Sequence, residues 1–130
     1  MPSLFTKIIN GEIPCHKIYE DDQCLAFLDI RPIKEGHTLV IPKKEIDYIF
    51  DLEDPDLANL MLCAKKIASA IKQTIECDRI GIMVAGLEVP HTHVHLIPIK
   101  SVSDLNFSLA ENADNENLAQ TAQKIRNNFS

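Results

Sequence analysis

The sequence predicts an α+β fold, in which about five antiparallel strands form a sheet covered by one long crossover helix and a C-terminal helix. Five short apolar segments bounded by polar or turn-forming residues predict the strands, at residues 16–19, 24–28, 38–41, 79–84 and 91–99. Between the third and fourth strands, apolar residues recur every three or four positions from Leu57 to Ile75, which predicts one amphipathic helix. The other links are short, so they favour antiparallel neighbours.

Capping and turn residues predict the remaining elements. Residues 4–9 place apolar side chains at helical intervals and stop at Asn10-Gly11, which is typical of a short helix or turn. Asp54-Pro55 predicts the start of the long helix, because an N-cap residue and a first-turn proline both favour helix initiation. Residues 101–112 have no clear period and are expected to be irregular. We expect one domain over residues 1–130, with a C-terminal helix at about 115–129 as its extension.

Composition excludes several classes of partner. A chain of 130 residues with 45% hydrophobic content has enough apolar residues for one core. Its net charge of −6 is unfavourable for binding nucleic acid or an anionic membrane surface, and no apolar run approaches the roughly 20 residues of a membrane span. The four cysteines have no CxxC spacing and the N-terminus lacks a signal-peptide pattern, so we expect reduced thiols and a cytoplasmic protein.

Three histidines at alternate positions form the most informative motif, His91-Thr92-His93-Val94-His95. In an extended strand, side chains alternate between faces, so the three imidazoles are expected to project from one side of the sheet. Imidazole has an ordinary pKa of about 6.5, which suits proton transfer, nucleophilic attack and metal ligation near neutral pH. The motif therefore predicts a chemical site on one face of the last strand.

The residues alone leave three hypotheses for this motif. One imidazole could attack an electrophile such as phosphorus while a neighbour supplies a proton. Two or three imidazoles could instead bind zinc, although Glu88 is the only adjacent carboxylate. The third hypothesis treats the histidines as partly solvated polar residues on the open face of a sheet. We favour nucleophilic catalysis and expect neither a metal nor a cofactor.

The pattern His-φ-His-φ-His-φ-φ, where φ is apolar, resembles the signature of the histidine triad (HIT) family, with Thr92 as the less apolar filler. Further segments resemble the Hint-type branch, the histidine triad nucleotide-binding proteins. They are residues 5–14 (FTKIINGEIP), 19–22 (YEDD), 26–32 (AFLDIRP) and 36–43 (GHTLVIPK). The resemblance covers most of residues 4–98.

The resemblance implies a homodimer whose two sheets join, and hydrolysis of a purine nucleoside 5′-monophosphate such as AMP or GMP from an amine or other leaving group. It implies that His93 is the nucleophile and forms a nucleotidyl-histidine intermediate. His95 would contact the phosphate and assist the leaving group, and His91 with His37 would orient the site. Asp29 would accept hydrogen bonds from the ribose hydroxyls.

The resemblance also implies an apolar slot for the base. The predicted slot residues are Phe5, Ile8, Ile13, Phe27, Leu28 and Ile30, with Glu88 and Val89 beside the substrate. From the residues alone, burial in the core is the more common role for such apolar side chains, and Asp29 could be an ordinary turn residue. Both interpretations stay open at this stage.

Two departures from the family pattern bear on function. The link at residues 85–90 is shorter than the glycine-rich link of many relatives, and its Glu88 could either repel a phosphate or recruit a cationic leaving group. Some relatives hold structural zinc through an N-terminal CxxC and two histidines, whereas this chain has Ser3 and Thr6 at the cysteine positions. The alternatives to the hydrolase are a non-catalytic nucleotide-binding or interaction protein and a dinucleoside polyphosphate hydrolase.

Overall fold

A computed structural model describes residues 2–129 and contains one five-stranded sheet in which every neighbouring pair is antiparallel. The strands are β1 Lys17–Glu20, β2 Cys24–Leu28, β3 Thr38–Pro42, β4 Arg79–Met83 and β5 Val94–Ile99, in the spatial order β1-β2-β3-β5-β4. The helices are α1 Leu4–Ile9, α2 Asp54–Thr74 and α3 Asn115–Arg126. The predicted α+β architecture is confirmed.

The sheet separates two layers because alternate residues of its strands point to opposite faces. Ala26, Leu28 and Val40 pack with the inner face of α2, including Ile67 and Ile71. Burying an aliphatic side chain of this size contributes about 1.5–3 kcal/mol, so this layer is the main source of stability. α3 completes the same layer.

The opposite face of the sheet carries a smaller cluster beneath α1. Leu25, Phe27, Leu39 and Ile41 alternate with the residues of the main core and pack against Phe5 of α1. His95 lies directly opposite Leu39 in the β3–β5 ladder, which places its side chain on this second face. The predicted alternation therefore holds, since Val94 and Leu96 belong to the main core beneath α2.

The fifth strand begins at Val94, so the prediction that it begins at His91 is wrong. The backbone before Val94 is held by loops instead of by the sheet. His91 N–H donates to Val89 O at 2.8 Å, and Thr92 N–H donates to Ile46 O at 2.7 Å. His91 and His93 consequently lie on an extended approach to β5, where loop contacts determine their positions.

The C-terminal part differs from the prediction in detail. The last helix ends at Arg126, three residues before the predicted end, and residues 101–112 contain two short 3-10 turns, Val102–Asp104 and Phe107–Leu109. Each turn begins with a side chain that accepts a backbone N–H, from Ser101 and Asn106 respectively. None of the helices within residues 2–129 has the length and apolar character needed to cross a membrane.

The cysteines depart from the expected reduced state. The sulfur atoms of Cys24 in β2 and Cys63 in α2 form a disulfide, whereas Cys15 and Cys77 are free thiols. The expectation of reduced thiols is therefore wrong for the first pair. Sequence spacing gave no indication of the contact, because the two residues are 39 positions apart and meet only when α2 covers the sheet.

Candidate active site

Four of the five histidines gather on the second face of the sheet. His37 immediately precedes β3, and its Nε2 lies 3.0 Å from Nδ1 of His95 in β5. The His95 ring lies 5.0 Å from the His93 ring, measured between centroids. All four side chains, including His91, are buried. The structure thus brings together the histidines that the sequence singled out.

The hydrogen bonds of His37 and His95 determine which ring nitrogen carries the proton. Ile33 N–H donates to Nδ1 of His37 at 3.0 Å, so that nitrogen has no proton in the neutral ring. His37 therefore carries its proton on Nε2 and donates it to Nδ1 of His95. His95 in turn carries its proton on Nε2. The pair thus presents one N–H donor beyond the His95 ring.

Burial keeps this pair neutral. Burial lowers the pKa of His37 to about 4. The pKa of His95 is lowered to about 3, mainly by burial and to a smaller extent by the neighbouring His37 and His93. Burial removes the rings from water and disfavours the charged imidazolium, and this is the main physical reason for both shifts. At neutral pH the N–H donor of His95 is therefore a permanent feature of the site.

His93 has the opposite arrangement of its nitrogens. Its Nδ1 lies 2.7 Å from the carbonyl oxygen of His91, and a carbonyl only accepts, so Nδ1 is the donor. In the neutral ring, Nε2 then keeps a lone pair. A nitrogen lone pair whose opposite nitrogen is held by a carbonyl is the arrangement that nucleophilic catalysis by imidazole requires.

A polar network fixes the ring of His91. Its Nε2 donates to the carbonyl of Pro42 at 2.7 Å, and its Nδ1 accepts from the hydroxyl of Ser3 at 2.9 Å. Thr6 Oγ1 donates to Glu45 Oε1 at 2.6 Å, and the backbone N–H of Ser3 donates to the same oxygen. These bonds lower the pKa of Glu45 to about 2, and the backbone bond from Ser3 makes the largest contribution.

This network includes Ser3 and Thr6, the two positions at which the family resemblance placed the cysteines of a structural zinc site. Hydroxyl groups of Ser3 and Thr6 are poor zinc ligands compared with thiolates, and here both already take part in hydrogen bonds with Glu45 or His91. The residues present therefore do not fit a structural zinc ion. Sequence reasoning found Ser3 and Thr6 but missed Glu45, which lies 39 positions from Thr6 and has no local pattern.

A second group of potential ligands also fits a metal poorly. Asp29, His37 and His95 each offer one ligand atom, and these atoms lie within 4.8 Å of one another. However, a metal on Nε2 of His37 would require the proton to move to Nδ1, where it would face the N–H of Ile33. The N–H of Ile33 and the Nδ1–H of His37 would then point at each other across 3.0 Å, and neither could accept a hydrogen bond. Hydrogen bonding between the rings explains the cluster without a metal.

A cavity of about 270 Å³ opens beside His93 and His95. Its volume is near the lower end of small-molecule pockets, about 300 Å³. All nine residues proposed for substrate contact line it, namely Phe5, Ile8, Ile13, Phe27, Leu28, Asp29, Ile30, Glu88 and Val89. Leu4, Pro14, Cys15 and Leu39 also line it and were not predicted. Phe5 and Phe27 belong to a buried apolar cluster and also line the cavity. Their interpretation as core residues and their interpretation as slot residues are therefore compatible.

Asp29 combines a turn role with a position in the cavity. Its Oδ1 accepts from Arg31 N–H at 2.9 Å, as in an Asx turn, and its Oδ2 lies 3.7 Å from Nε2 of His37. Burial raises the pKa of Asp29, and the charge of the nearby Glu88 raises it further. The two carboxylates therefore face the same space, and a ligand that donates hydrogen bonds to Asp29 would relieve its desolvation.

Acid is expected to destabilise the protein through His37. Because its pKa is about 4 in the folded state and ordinarily 6.5, the unfolded chain binds more protons between these values. The contribution of neutral His37 to the free energy of unfolding is fully present above pH 6.5. It falls by ~3 kcal/mol as the pH decreases towards 4. Urea unfolding at about pH 7 and about pH 4.5 measures the loss. His37→Gln should show a smaller loss, and an equal loss in both proteins would contradict this assignment.

The sheet and the histidine cluster define the class of histidine triad proteins, and comparisons with known proteins agree. A HIT domain profile matches residues 10–102. The chain therefore belongs to the HIT family.

Relatives and solved structures extend the similarity beyond the motif. Adenosine 5′-monophosphoramidase HNT1 of Saccharomyces cerevisiae is 43% identical over 96 residues, which cover 73% of this chain and 61% of that protein. Adenylylsulfatase HINT3 of Arabidopsis thaliana is 41% identical over 104 residues, which cover 75% of this chain and 52% of that protein. The crystal structure of a HIT-like protein involved in cell-cycle regulation from Bartonella henselae superposes with a TM-score of 0.86 and 36% identity, covering 97% of this chain and 95% of that one.

Proposed function

We propose that the protein is a nucleotide hydrolase or transferase that acts on nucleoside 5′-monophosphate derivatives, as a purine nucleoside phosphoramidase does. The observation that carries the proposal is the pairing of two nitrogens at the cavity: a lone pair on His93 Nε2 and an N–H donor on His95 Nε2. Asp29 and the apolar slot beside them suit a ribose and a base. Relatives named as an adenosine 5′-monophosphoramidase and an adenylylsulfatase support this substrate class.

The proposed reaction has two displacement steps at phosphorus. In the first, His93 Nε2 attacks, a phosphorus–nitrogen bond forms, and the bond to the leaving amine breaks as the amine takes up a proton from solvent. The N–H of His95 donates to a phosphoryl oxygen and stabilises its developing charge. In the second step, water attacks phosphorus and releases a proton, and the bond to His93 breaks. The products are the nucleoside monophosphate and the free amine.

The ring of His91 has no direct part in these steps. The backbone carbonyl oxygen of His91 accepts a hydrogen bond from His93 Nδ1–H at 2.7 Å. This bond stabilises the positive charge that His93 acquires on attack. The imidazole of His91 anchors this carbonyl through Pro42 and Ser3. We therefore assign His91 and His37 as positioning residues, and His93 and His95 as catalytic residues.

Turnover of adenosine 5′-phosphoramidate is the direct test. Wild-type protein is expected to release AMP and ammonia, which chromatography and an ammonia assay measure separately. Adenosine 5′-phosphosulfate and a diadenosine polyphosphate serve as alternative substrates. Hydrolysis of none of the three would overturn the proposal, and hydrolysis of the dinucleotide alone would favour a dinucleoside polyphosphate hydrolase.

A second candidate function is nucleotide binding without turnover. Glu88 favours it, because an exposed carboxylate at the cavity opposes the approach of a phosphate group. Calorimetry would then detect AMP binding while hydrolysis of all three substrates stays at the uncatalysed rate. The two functions thus differ in one measurable quantity, the rate of AMP release.

We also propose that the protein is a homodimer in which two sheets join along β4. The opposite edge strand, β1, is covered by α3, since Arg126 donates to the carbonyl of Lys17 at 2.6 Å. Within residues 2–129, no hydrogen bond joins the outer edge of β4 to another segment, and Ile82 is 47% exposed. An uncovered edge strand pairs readily with another strand.

Light scattering tests the dimer. The wild-type mass is expected to be twice the chain mass of 14.6 kDa. Ile82→Asp should reduce the mass towards one chain, because a carboxylate at the joined edge loses its hydration. Leu62→Asp, on the exposed side of α2, is the matched control and should keep the wild-type mass. A wild-type mass of one chain would contradict the proposal.

A further inference from the structure

A disulfide outside the histidine site joins the sheet to the helix that covers it. Cys24 is the first residue of β2 and Cys63 lies in the middle of α2, so the bond between them connects the two layers of the main core. Both side chains are buried. The bond therefore adds a covalent link to layers that apolar contacts already hold together.

The disulfide closes a segment that carries several contacts of the histidine site. Cys24 and Cys63 are 39 positions apart. The segment between them contains four residues whose hydrogen bonds hold the histidines or their neighbours in place, namely His37, Pro42, Glu45 and Ile46. A covalent restraint on this segment therefore also restrains the groups that position the histidines.

Cys24 lies next to the group that holds the ring of His91. In the β2–β3 ladder, Cys24 is directly opposite Pro42. The carbonyl of Pro42 accepts from His91 Nε2 at 2.7 Å, and the carbonyl of His91 accepts from His93 Nδ1 at 2.7 Å. Two hydrogen bonds thus connect the strand end beside the disulfide with the proposed nucleophile. A displacement of Pro42 changes the arrangement that leaves a lone pair on His93 Nε2.

Reduction of the disulfide loosens this end of the sheet. Covalently bonded sulfur atoms lie closer together than two thiols in van der Waals contact, so the reduced side chains need more room between β2 and α2. Reduction also removes the covalent closure of the segment and gives the unfolded chain more conformational freedom. A cavity of about 410 Å³ borders Cys24, Pro42 and Lys43, and this free volume leaves room for the strand end to shift.

We propose that the Cys24–Cys63 disulfide is a redox-controlled brace of the histidine site. The oxidised protein holds Pro42 and His91 in the arrangement described above, whereas the reduced protein is less stable and less active. The effect on activity rests on the proposed function.

The redox step is a two-electron exchange with a small-molecule disulfide such as oxidised glutathione. The sulfur–sulfur bond of the small molecule breaks, and the bond between Cys24 and Cys63 forms. The protein gives up two electrons and two protons, which are taken up by the two small thiols that are released. A dithiol reductant such as dithiothreitol reverses the step.

Burial makes this exchange slow. A thiol reaches a buried disulfide only when the surrounding structure opens locally, which here means a separation of α2 from β2. Uncatalysed disulfide exchange takes about minutes to hours. Each redox state therefore persists through an activity measurement, and the two states can be assayed separately.

Peptide mapping and thermal unfolding test the brace. Wild-type protein is incubated for hours with oxidised glutathione or with dithiothreitol, and the small molecules are then removed. Alkylation and mass spectrometry should find Cys24 linked to Cys63 after oxidation and both alkylated after reduction. The reduced protein should unfold about 10 °C lower, because a closure of this length is lost. Cys24→Ala should unfold close to the reduced protein under both conditions. Cys77→Ser, which replaces a free thiol, is the matched control and should keep the wild-type difference.

Enzyme kinetics and histidine NMR test the link with the site. Reduction should lower kcat for adenosine 5′-phosphoramidate by about 2- to 30-fold, the range for changes in a network that is coupled to a site. KM should change little, because neither Cys24 nor Cys63 lines the substrate cavity. The Nδ1 proton of His93 should exchange faster with solvent in the reduced protein. A disulfide with a merely structural role lowers the unfolding temperature and leaves kcat and this exchange rate unchanged.

The outcomes separate the brace from the proposed function. If oxidised glutathione leaves Cys24 and Cys63 unlinked, or if kcat and His93 proton exchange are equal in the two redox states, the brace is overturned and the hydrolase proposal stands. If neither state hydrolyses the substrate, the hydrolase proposal fails, and the exchange rate of the His93 proton alone decides the brace. Both states are prepared from wild-type protein, so the comparison holds even if Cys24→Ala fails to fold.

Discussion

His93→Ala is expected to lower kcat for adenosine 5′-phosphoramidate by at least about 10³-fold, which corresponds to roughly 4 kcal/mol of transition-state stabilisation. The substitution removes His93 Nε2, the nitrogen at the cavity that has a lone pair because Nδ1 of the same ring is held by a carbonyl. Without it, the reaction needs direct attack by water on phosphorus. Initial-rate measurements of AMP release at saturating substrate give the comparison.

The control for His93→Ala is His16→Ala. His16 is the one histidine outside the cluster, and its ring contacts Asn115 of α3. The control should therefore keep wild-type kcat. Equal rates for wild type and His93→Ala would contradict the assignment of His93 as the nucleophile. Acid quenching during turnover gives a second measurement, since mass spectrometry should detect a nucleotide bound to the wild-type protein and none bound to the variant.

His37→Leu is expected to lower kcat by about 10- to 100-fold, the range found when a residue that orients a functional histidine is lost. Leucine cannot donate to Nδ1 of His95, so His95 loses the bond that places its proton on Nε2. It also leaves the buried N–H of Ile33 without an acceptor, at a cost of about 1–3 kcal/mol in stability. Steady-state kinetics and urea unfolding measure the two effects.

His37→Gln separates positioning from packing. A glutamine amide can accept from Ile33 through its oxygen and donate to His95 through its nitrogen, so it should recover part of both losses. KM should change little in either variant, because His37 lies behind His95 and does not line the cavity. If leucine and glutamine lowered kcat equally while stability differed, the hydrogen-bond assignment would be wrong.

Short-range patterns in the sequence predicted most of the fold. The short, nearly continuous apolar runs of β2 and β3 are typical of strands buried on both faces, and the three-to-four residue spacing of α2 indicates which side of that helix is buried. The start of β5 was missed because loop hydrogen bonds at His91 and Thr92 replace the ladder there. The bonds of Thr92 join it to Ile46, 46 positions away, and no local pattern encodes such a contact.

The candidate site was also predicted in part by local patterns and in part only by the tertiary structure. Composition and motif alone identified His91, His93 and His95 as chemical groups, and the family resemblance added His37, Asp29 and the slot. Neither could assign protons to ring nitrogens, because each assignment depends on a distant donor or acceptor such as Ile33 or Pro42. The Glu45 network and the contact of Cys24 with Cys63 were invisible for the same reason.

The sequence by itself thus determined the elements, their buried faces and the presence of a histidine site, since these depend on the order of apolar and polar residues along the chain. Only the tertiary structure decided which imidazole nitrogen has a lone pair and which one donates. These properties arise from contacts across the sheet, where folding removes the rings from water and each protein hydrogen bond replaces one to solvent.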